Sequence, residues 1–191
     1  MIKKSAVILS GGKNTRMNYK TKAFLEFRGN TFIERTLDAI SDYEQKIISC
    51  NDVEKYKEFE DMALLVLDKF KEIGPIGGIY SSLKESEFQY SLVIASDMPF
   101  LNKEVLNYLG NYEFNNDALI PIVDGKIQPL CGIYKKDILS VIEKMINKKD
   151  YRLKNLLFSI DTKYININDK DNFSNINTVE EYEKLIRRDG E

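Results

Sequence analysis

The chain has 191 residues, 43% of them hydrophobic and 30% charged, with a formal net charge of −2. That balance belongs to one globular domain, 1–191, and offers no basic field that would bring nucleic acid or an anionic membrane in as its main partner. Histidine and tryptophan are absent. Ser-His-Asp and Cys-His chemistry and His-ligated zinc, haem or iron are thereby excluded, leaving carboxylates, Lys, Arg, main-chain amides and a hard, oxygen-loving metal for any catalysis.

Short β-branched runs alternate with helical periodicity along the chain. Strands are expected at Ser5–Leu9, Gln45–Ser49, Ala63–Leu67, Tyr90–Ala95, Ala118–Val123, Pro129–Tyr134 and Lys163–Ile167. Phe32–Ile40 carries an apolar face at helical spacing, with Thr31 as N-cap and Glu34 three residues on completing a capping box. Val53–Phe59, Ile76–Leu83, Lys103–Leu109 and Ile138–Ile146 also read as helices, and Thr178–Arg188 repeats the box through Thr178 and Glu181. Strand, loop and helix in alternation predict an α/β fold: a three-layer α/β/α, Rossmann-like domain with a mostly parallel sheet. Ala6–Leu9 is too short for a signal-peptide core and no run reaches membrane-span length, so a cytoplasmic chain with Cys50 and Cys131 reduced and buried is expected.

In open parallel sheets ligands sit at the carboxyl ends of the strands. The first strand runs into Leu9-Ser10-Gly11-Gly12-Lys13-Asn14-Thr15-Arg16-Met17, with Lys22 shortly after. Paired glycines let the backbone approach a ligand closely, Thr15 adds a hydroxyl, and Arg16 and Lys22 add charge. A tri- or pyrophosphate needs this combination. The pattern is neither Gly-Lys-Ser/Thr of a P-loop nor Gly-x-Gly-x-x-Gly. At the end of the Tyr90 strand stands Asp97, before Met98-Pro99, placed to hold a divalent cation over phosphates. Asn51 and Asp68 end two other strands and also read as a loop-capping residue and an ordinary loop acid; Asp68 is followed by Gly74-Pro75-Ile76-Gly77-Gly78, whose glycines and proline suggest a loop packed against ligand before the Ile76 helix.

The stretch Leu-x-Gly-Gly-x-x-x-Arg-Met-x-x-x-x-Lys resembles the signature of nucleotidyltransferases that take an NMP from an NTP. Among these it is most similar to the molybdenum cofactor guanylyltransferases, whose usual form is Leu-Ala-Gly-Gly-x-Ser-x-Arg-Met-Gly-x-Asp-Lys. Here Ser10, Asn18 and Thr21 replace the Ala, the Gly and the Asp. The resemblance implies GTP and molybdopterin as substrates, Mg2+ as cofactor with Asp97 as its ligand, and cytosolic partners in molybdoenzyme maturation. It also implies catalytic roles for Arg16, Lys22 and Asp97, and a nucleotide site of Leu9, Ser10, Gly11, Gly12, Thr15, Lys22, Asn51, Asp68 and Asp97. Ser174-Asn175-Ile176-Asn177-Thr178 is similar to the family's Asn-Ile-Asn-Thr-Pro, with Val179 for the proline, and Asp124–Leu130 to its turn and Gln/His-Pro-Leu segment. The family places such asparagines, and an Arg in an Arg-x-Leu stretch matching Arg152, on the pterin side. Asn175 and Asn177 are equally good turn and cap residues, and Arg152 reads equally as a solvated side chain. A cytidylyl- or sugar-nucleotidyltransferase, or a non-catalytic nucleotide-binding adaptor of the same fold, stands as the alternative.

Overall fold

The alternation of side chains along the central strands decides the layers. The computed structural model describes residues 1–11 and 21–189. In β1 (Ile2–Leu9), Ala6 and Ile8 enter one apolar cluster and Val7 enters another. The same division holds later in the chain, with Ile48 and Cys50 opposite Ile47, and Leu92 and Ile94 opposite Val93. Strands buried on both faces need helices on both faces. After the short hairpin of β2 (Glu26–Phe27) and β3 (Asn30–Thr31), α1 (Phe32–Ala39) covers the first face through Ile33 and Leu37. β4 (Tyr43–Cys50) and β5 (Leu64–Leu67) lead to α2 (Pro75–Glu85), which covers the second face through Ile76, Ile79 and Leu83. β6 (Tyr90–Ala95) is followed by α3 (Lys103–Asn111), which adds Leu106 and Leu109 to the first face. Beyond β7 (Ala118–Val123), β8 (Lys126–Ile127) and β9 (Cys131–Lys135), α4 (Leu139–Asn147) and α5 (Leu153–Ser159) complete the second face with Ile142, Met145, Leu156 and Leu157. β10 (Thr162–Asn166) and α6 (Val179–Asp189) follow.

Among the described residues the main sheet has eight strands, in the order β10-β7-β9-β6-β1-β4-β5, with β8 paired to β7. β1 pairs in parallel with both β4 and β6, β4 with β5, and β7 with β10, while β9 runs against β6 and β7. The chain moves from β1 to β4 and β5 on one side, then returns to β6 on the other. The topological switch therefore lies between β1 and β6, with the carboxyl ends of β1, β4, β5 and β6 on one edge. α6 lies off the sheet. Its Tyr182 and Leu185 pack against a third apolar cluster of Leu25, Phe27, Phe32 and Ile176.

The expected three-layer fold, the seven expected strands and both capping boxes are present. At Thr31 the main-chain N–H donates to Glu34 Oε2 at 2.6 Å, and Glu34 N–H donates to Thr31 Oγ1 at 3.3 Å. At the second box Glu181 N–H donates to Thr178 Oγ1 at 3.2 Å. Both cysteines are free and buried. The segment expected as a helix at Val53–Phe59 is a 3-10 helix over Glu54–Phe59. The strand expected from Pro129 begins at Cys131, because proline has no N–H for the ladder and Cys131 N–H closes a turn on Gln128 O at 3.1 Å. The helix α5 was not expected: it has 7 residues, and its buried side chains are the adjacent pair Leu156 and Leu157, which makes no visible period. Among the described residues no helix is long and apolar enough to cross a membrane.

Tyr43 is fully buried, and its hydroxyl donates to Leu106 O at 2.6 Å, joining β4 to α3. Tyr43→Phe is expected to cost about 1 kcal/mol of unfolding free energy in urea titration, the net value of one hydrogen bond, with the denaturant slope unchanged. An unaltered midpoint would show that this bond adds nothing to the fold.

Candidate active site

The ladder bonds run one residue past the strands and so fix the residues that carry chemistry. Ser10 N–H donates to Ser49 O at 2.8 Å, Asp68 N–H to Cys50 O at 2.9 Å, and Ser96 N–H to Leu9 O at 3.1 Å. The cleft above them is lined by Leu9, Ser10, Gly11, Lys22, Asp68 and Asp97, and the amino end of α2 at Gly74 and Pro75 opens onto it. Helix amino ends favour anions.

On the β5 side, space is set by contact. A Cβ on Gly11 would run into Asp68 Oδ2 and sit 3.3 Å from Asn51 Oδ1. A Cβ on Gly78 would lie 2.7 Å from Ser49 Oγ and 2.9 Å from Leu9 Cδ2. Gly11 therefore lets β1's end pass between two polar side chains, and Gly78 lets α2 lie against the ends of β1 and β4. Gly77 and Gly78 lie inside α2, as the helix expected from Ile76 places them; Gly78 serves helix-to-strand packing, while Gly77 lets the helix lie against Phe70 and Ile73 of the loop before it. Asp68 is 6% exposed and accepts a short hydrogen bond from Ser49 Oγ. Burial raises its pKa above the ordinary carboxylate value, and the Ser49 bond works the other way.

On the β6 side, Lys22 stands on a 3-10 turn, Lys22–Phe24. Its Nζ donates to Asp97 Oδ2 at 3.0 Å and to Asn177 Oδ1 at 3.1 Å. The pair is mostly shielded, with side-chain exposures of 17% and 20%. Asp97 is anchored by its own loop: Met98 and Leu101 are buried, and Asp97 O accepts from Ile176 N–H at 2.9 Å. Asp97 Oδ1 is buried without a hydrogen-bond partner among the described residues. A buried carboxylate oxygen without a donor suits a hard cation. No group of three or more Cys, Asp or Glu side chains among the described residues could hold a metal alone. Asp97 could give this oxygen to a divalent ion that takes the rest of its shell from substrate and water.

Behind the cleft-lining Ser10, its Oγ and the buried Tyr56 hydroxyl lie 2.7 Å apart, and that hydroxyl donates to Ser10 O at 3.2 Å. Burial pushes the Tyr56 phenol up to about 12, against the lowering effect of the Ser10 bond. Its ring packs on Phe24 at 5.1 Å between centroids, two residues from Lys22.

The expected residues Leu9, Ser10, Gly11, Lys22, Asp68 and Asp97 share one cleft, with Asn51 against Gly11. Asn177 joins Lys22 rather than a separate pocket. Asn175 lies instead in a neighbouring groove with Phe27, Arg35, Phe100 and Lys184. Arg152 is outside both lining sets; it reaches Asp150 Oδ1 at 3.4 Å and its side chain is 80% exposed. Gly12, Thr15 and Arg16 lie outside the described residues. Nothing local marks Ser49 and Tyr56 as partners of Asp68 and Ser10, because each sits in an ordinary structural pattern.

The raised Asp68 pKa sets a sign for stability. The folded chain holds this proton more tightly than the unfolded chain. The group's contribution is therefore fully present below the ordinary value of 3.8 and is lost as pH rises through the raised folded value. Asp68→Asn is expected to gain stability relative to the parent as pH rises across that window, read as urea midpoints at several pH values. A difference between the two proteins that stays flat with pH would contradict the assignment.

The profile of the MobA-like NTP transferase domain matches residues 6–163. A Clostridium perfringens protein named "probable molybdenum cofactor guanylyltransferase" is 45% identical, over 98% of this chain and 98% of its own. A Methanosarcina acetivorans protein of the same name is 32% identical over 96% and 90% of the two chains. The crystal structure of molybdopterin-guanine dinucleotide biosynthesis protein A from Archaeoglobus fulgidus superposes with a TM-score of 0.81 at 26% identity, over 97% of this chain and 98% of that one. With glycine-lined strand ends, a lysine and an aspartate meeting at the switch point, and likeness over nearly its whole length, the chain belongs to the MobA-like NTP transferase domain family and is a nucleotidyltransferase.

Proposed function

We propose that this chain transfers GMP from GTP to the terminal phosphate of molybdopterin, releasing pyrophosphate and forming a guanine dinucleotide cofactor. The observation that carries the reading is the meeting of Lys22 and Asp97 in the cleft beside Gly11. The identity of the two substrates follows the names of the relatives.

In the reaction a phosphate oxygen of the pterin forms a bond to the α-phosphorus of GTP, and the bond from that phosphorus to the bridging oxygen of pyrophosphate breaks. The attacking phosphate is already anionic near neutral pH, so no protein base is required. Catalysis rests on positioning and on charge. Gly11 lets the end of β1 pass Asp68 and Asn51 and lines the cleft in which the phosphates would lie. The Lys22 ammonium, with the Arg16 that precedes it in the sequence, would offset charge on the departing pyrophosphate. Asp97 would hold Mg2+ through its free oxygen, and the ion when bound withdraws charge from the reacting phosphates. Asn51 and Asp68 bracket Gly11 and would meet base or ribose. The groove at Asn175 adjoins the cleft and would take the pterin.

GTP with Mg2+ is expected to raise the melting temperature more than ATP or CTP at equal concentration. A larger rise with CTP would move the chain to a cytidylyl reading. Asp97→Asn is expected to keep the fold and lose most turnover, because an amide is a neutral and poor ligand for Mg2+; turnover within twofold of the parent at limiting Mg2+ would remove Asp97 from the site. Arg16→Ala and Lys22→Ala are each expected to lower the saturating single-turnover rate by about a hundred- to a thousandfold, the usual consequence of losing one such charge contact. If only GTP affinity fell while that rate held, these side chains would serve the ground state alone.

A further inference from the structure

The geometry points to Asn177 as a positioning residue that acts on the nucleotide through Lys22, and we propose that role for it in place of a direct contact with the second substrate. The inference rests on the reading that Lys22 meets the triphosphate.

A lysine ammonium has three N–H donors at fixed tetrahedral angles, and it turns freely about its last carbon–nitrogen bond. In this chain Asp97 Oδ2, at 3.0 Å, and Asn177 Oδ1, at 3.1 Å, take two of them. Two acceptors on different segments stop the rotation. Once two N–H directions are set, the third has no freedom left. Lys22 lines the cleft, so its remaining donor is the one available to a phosphate oxygen. Asp97 alone would set that torsion but leave the long side chain free to swing about a single contact, and the second acceptor holds the head group in position.

Asn177 is itself held in place. Its N–H donates to Glu181 Oε2 at 2.6 Å, within the first turn of α6. The preceding residue, Ile176, is buried and its N–H donates to Asp97 O at 2.9 Å. The Asn177 main chain is therefore tied to the loop that carries Asp97, and its carboxamide needs only a short reach to Lys22. α6 is fixed in turn by Tyr182, whose hydroxyl donates to Glu26 O at 2.8 Å, four residues beyond Lys22. The function of the C-terminal helix in the site is thus to hold an amide oxygen where the lysine needs it. Preorganised donors gain their effect by needing no rearrangement when charge develops.

A double-mutant cycle on GTP affinity, measured by calorimetry with Mg2+ and no pterin present, separates this role from others. Asn177→Ala is expected to weaken GTP binding severalfold, the scale of one hydrogen bond. In a Lys22→Met background, followed to millimolar nucleotide, the same change is expected to alter affinity by less than twofold, since its route to the nucleotide is gone. With pterin present, Asn177→Ala is expected to lower kcat and leave the KM for pterin near the parent value. An equal loss of GTP affinity in both backgrounds would overturn the proposal in favour of an independent contact. Unchanged GTP affinity with a raised KM for pterin would overturn it in favour of the second-substrate side. The substitution leaves the main-chain bonds to Glu181 and Asp97 in place, and Asn177→Ser repeats the test at the same position with a different side chain. If the parent protein favours another nucleotide over GTP, the cycle is run with that nucleotide: the base assignment then fails while the lysine contact is still tested.

Discussion

A strand paired in parallel on both sides cannot shift without breaking two ladders, and β1 is such a strand. The site depends on this constraint. Ser10, Gly11 and the ends of β4 and β6 are held in common register by main-chain bonds that continue past the strands. Side chains then need only short reaches: Asp68 to Ser49 on one flank, Lys22 to Asp97 on the other. The glycines follow from the same constraint. With the strand ends fixed, a helix or a carboxylate can approach them only where no Cβ intervenes, as at Gly11 and Gly78.

The two flanks of the cleft differ in electrostatic character. Asp68 is a buried acid supported by one neutral hydroxyl, and its raised pKa records the deficit. Asp97 is charge-paired on one oxygen and, among the described residues, without a partner on the other. A ligand that brings N–H donors suits the first site, and one that brings a cation suits the second. A nucleoside triphosphate with its metal carries both, at opposite ends.

Much of this arrangement was legible in the sequence because strand ends are places with a rule attached. A carboxylate or glycine after an apolar run, as at Asp97 or Gly11, is exposed to ligand by topology alone. Both capping boxes could be read for a similar reason, since their partners are three residues apart. Contacts between distant segments could not be read. Lys22 and Asn177 are 155 positions apart, and nothing local in either segment indicates the other. Asn177 looked like a cap residue, and its main chain does serve the first turn of α6; its side chain does something else. Tyr56 showed only as an apolar position in a helical pattern, because its hydroxyl finds Ser10 through the fold. Periodicity could not reveal α5, whose buried face is one adjacent pair of leucines.

The bond between Ser10 and Tyr56 also makes the two side chains unequal in what each depends on. Tyr56 gives its proton to a main-chain carbonyl at position 10, an acceptor present whatever side chain stands there. A tyrosine could therefore face an alanine without stranding a hydroxyl. The reverse pairing is costlier, because a serine opposite phenylalanine would lose its partner at a half-buried site. The main-chain bond thus keeps the Tyr56 hydroxyl satisfied without Ser10 Oγ, whereas Ser10 Oγ depends on Tyr56 for the contact described here.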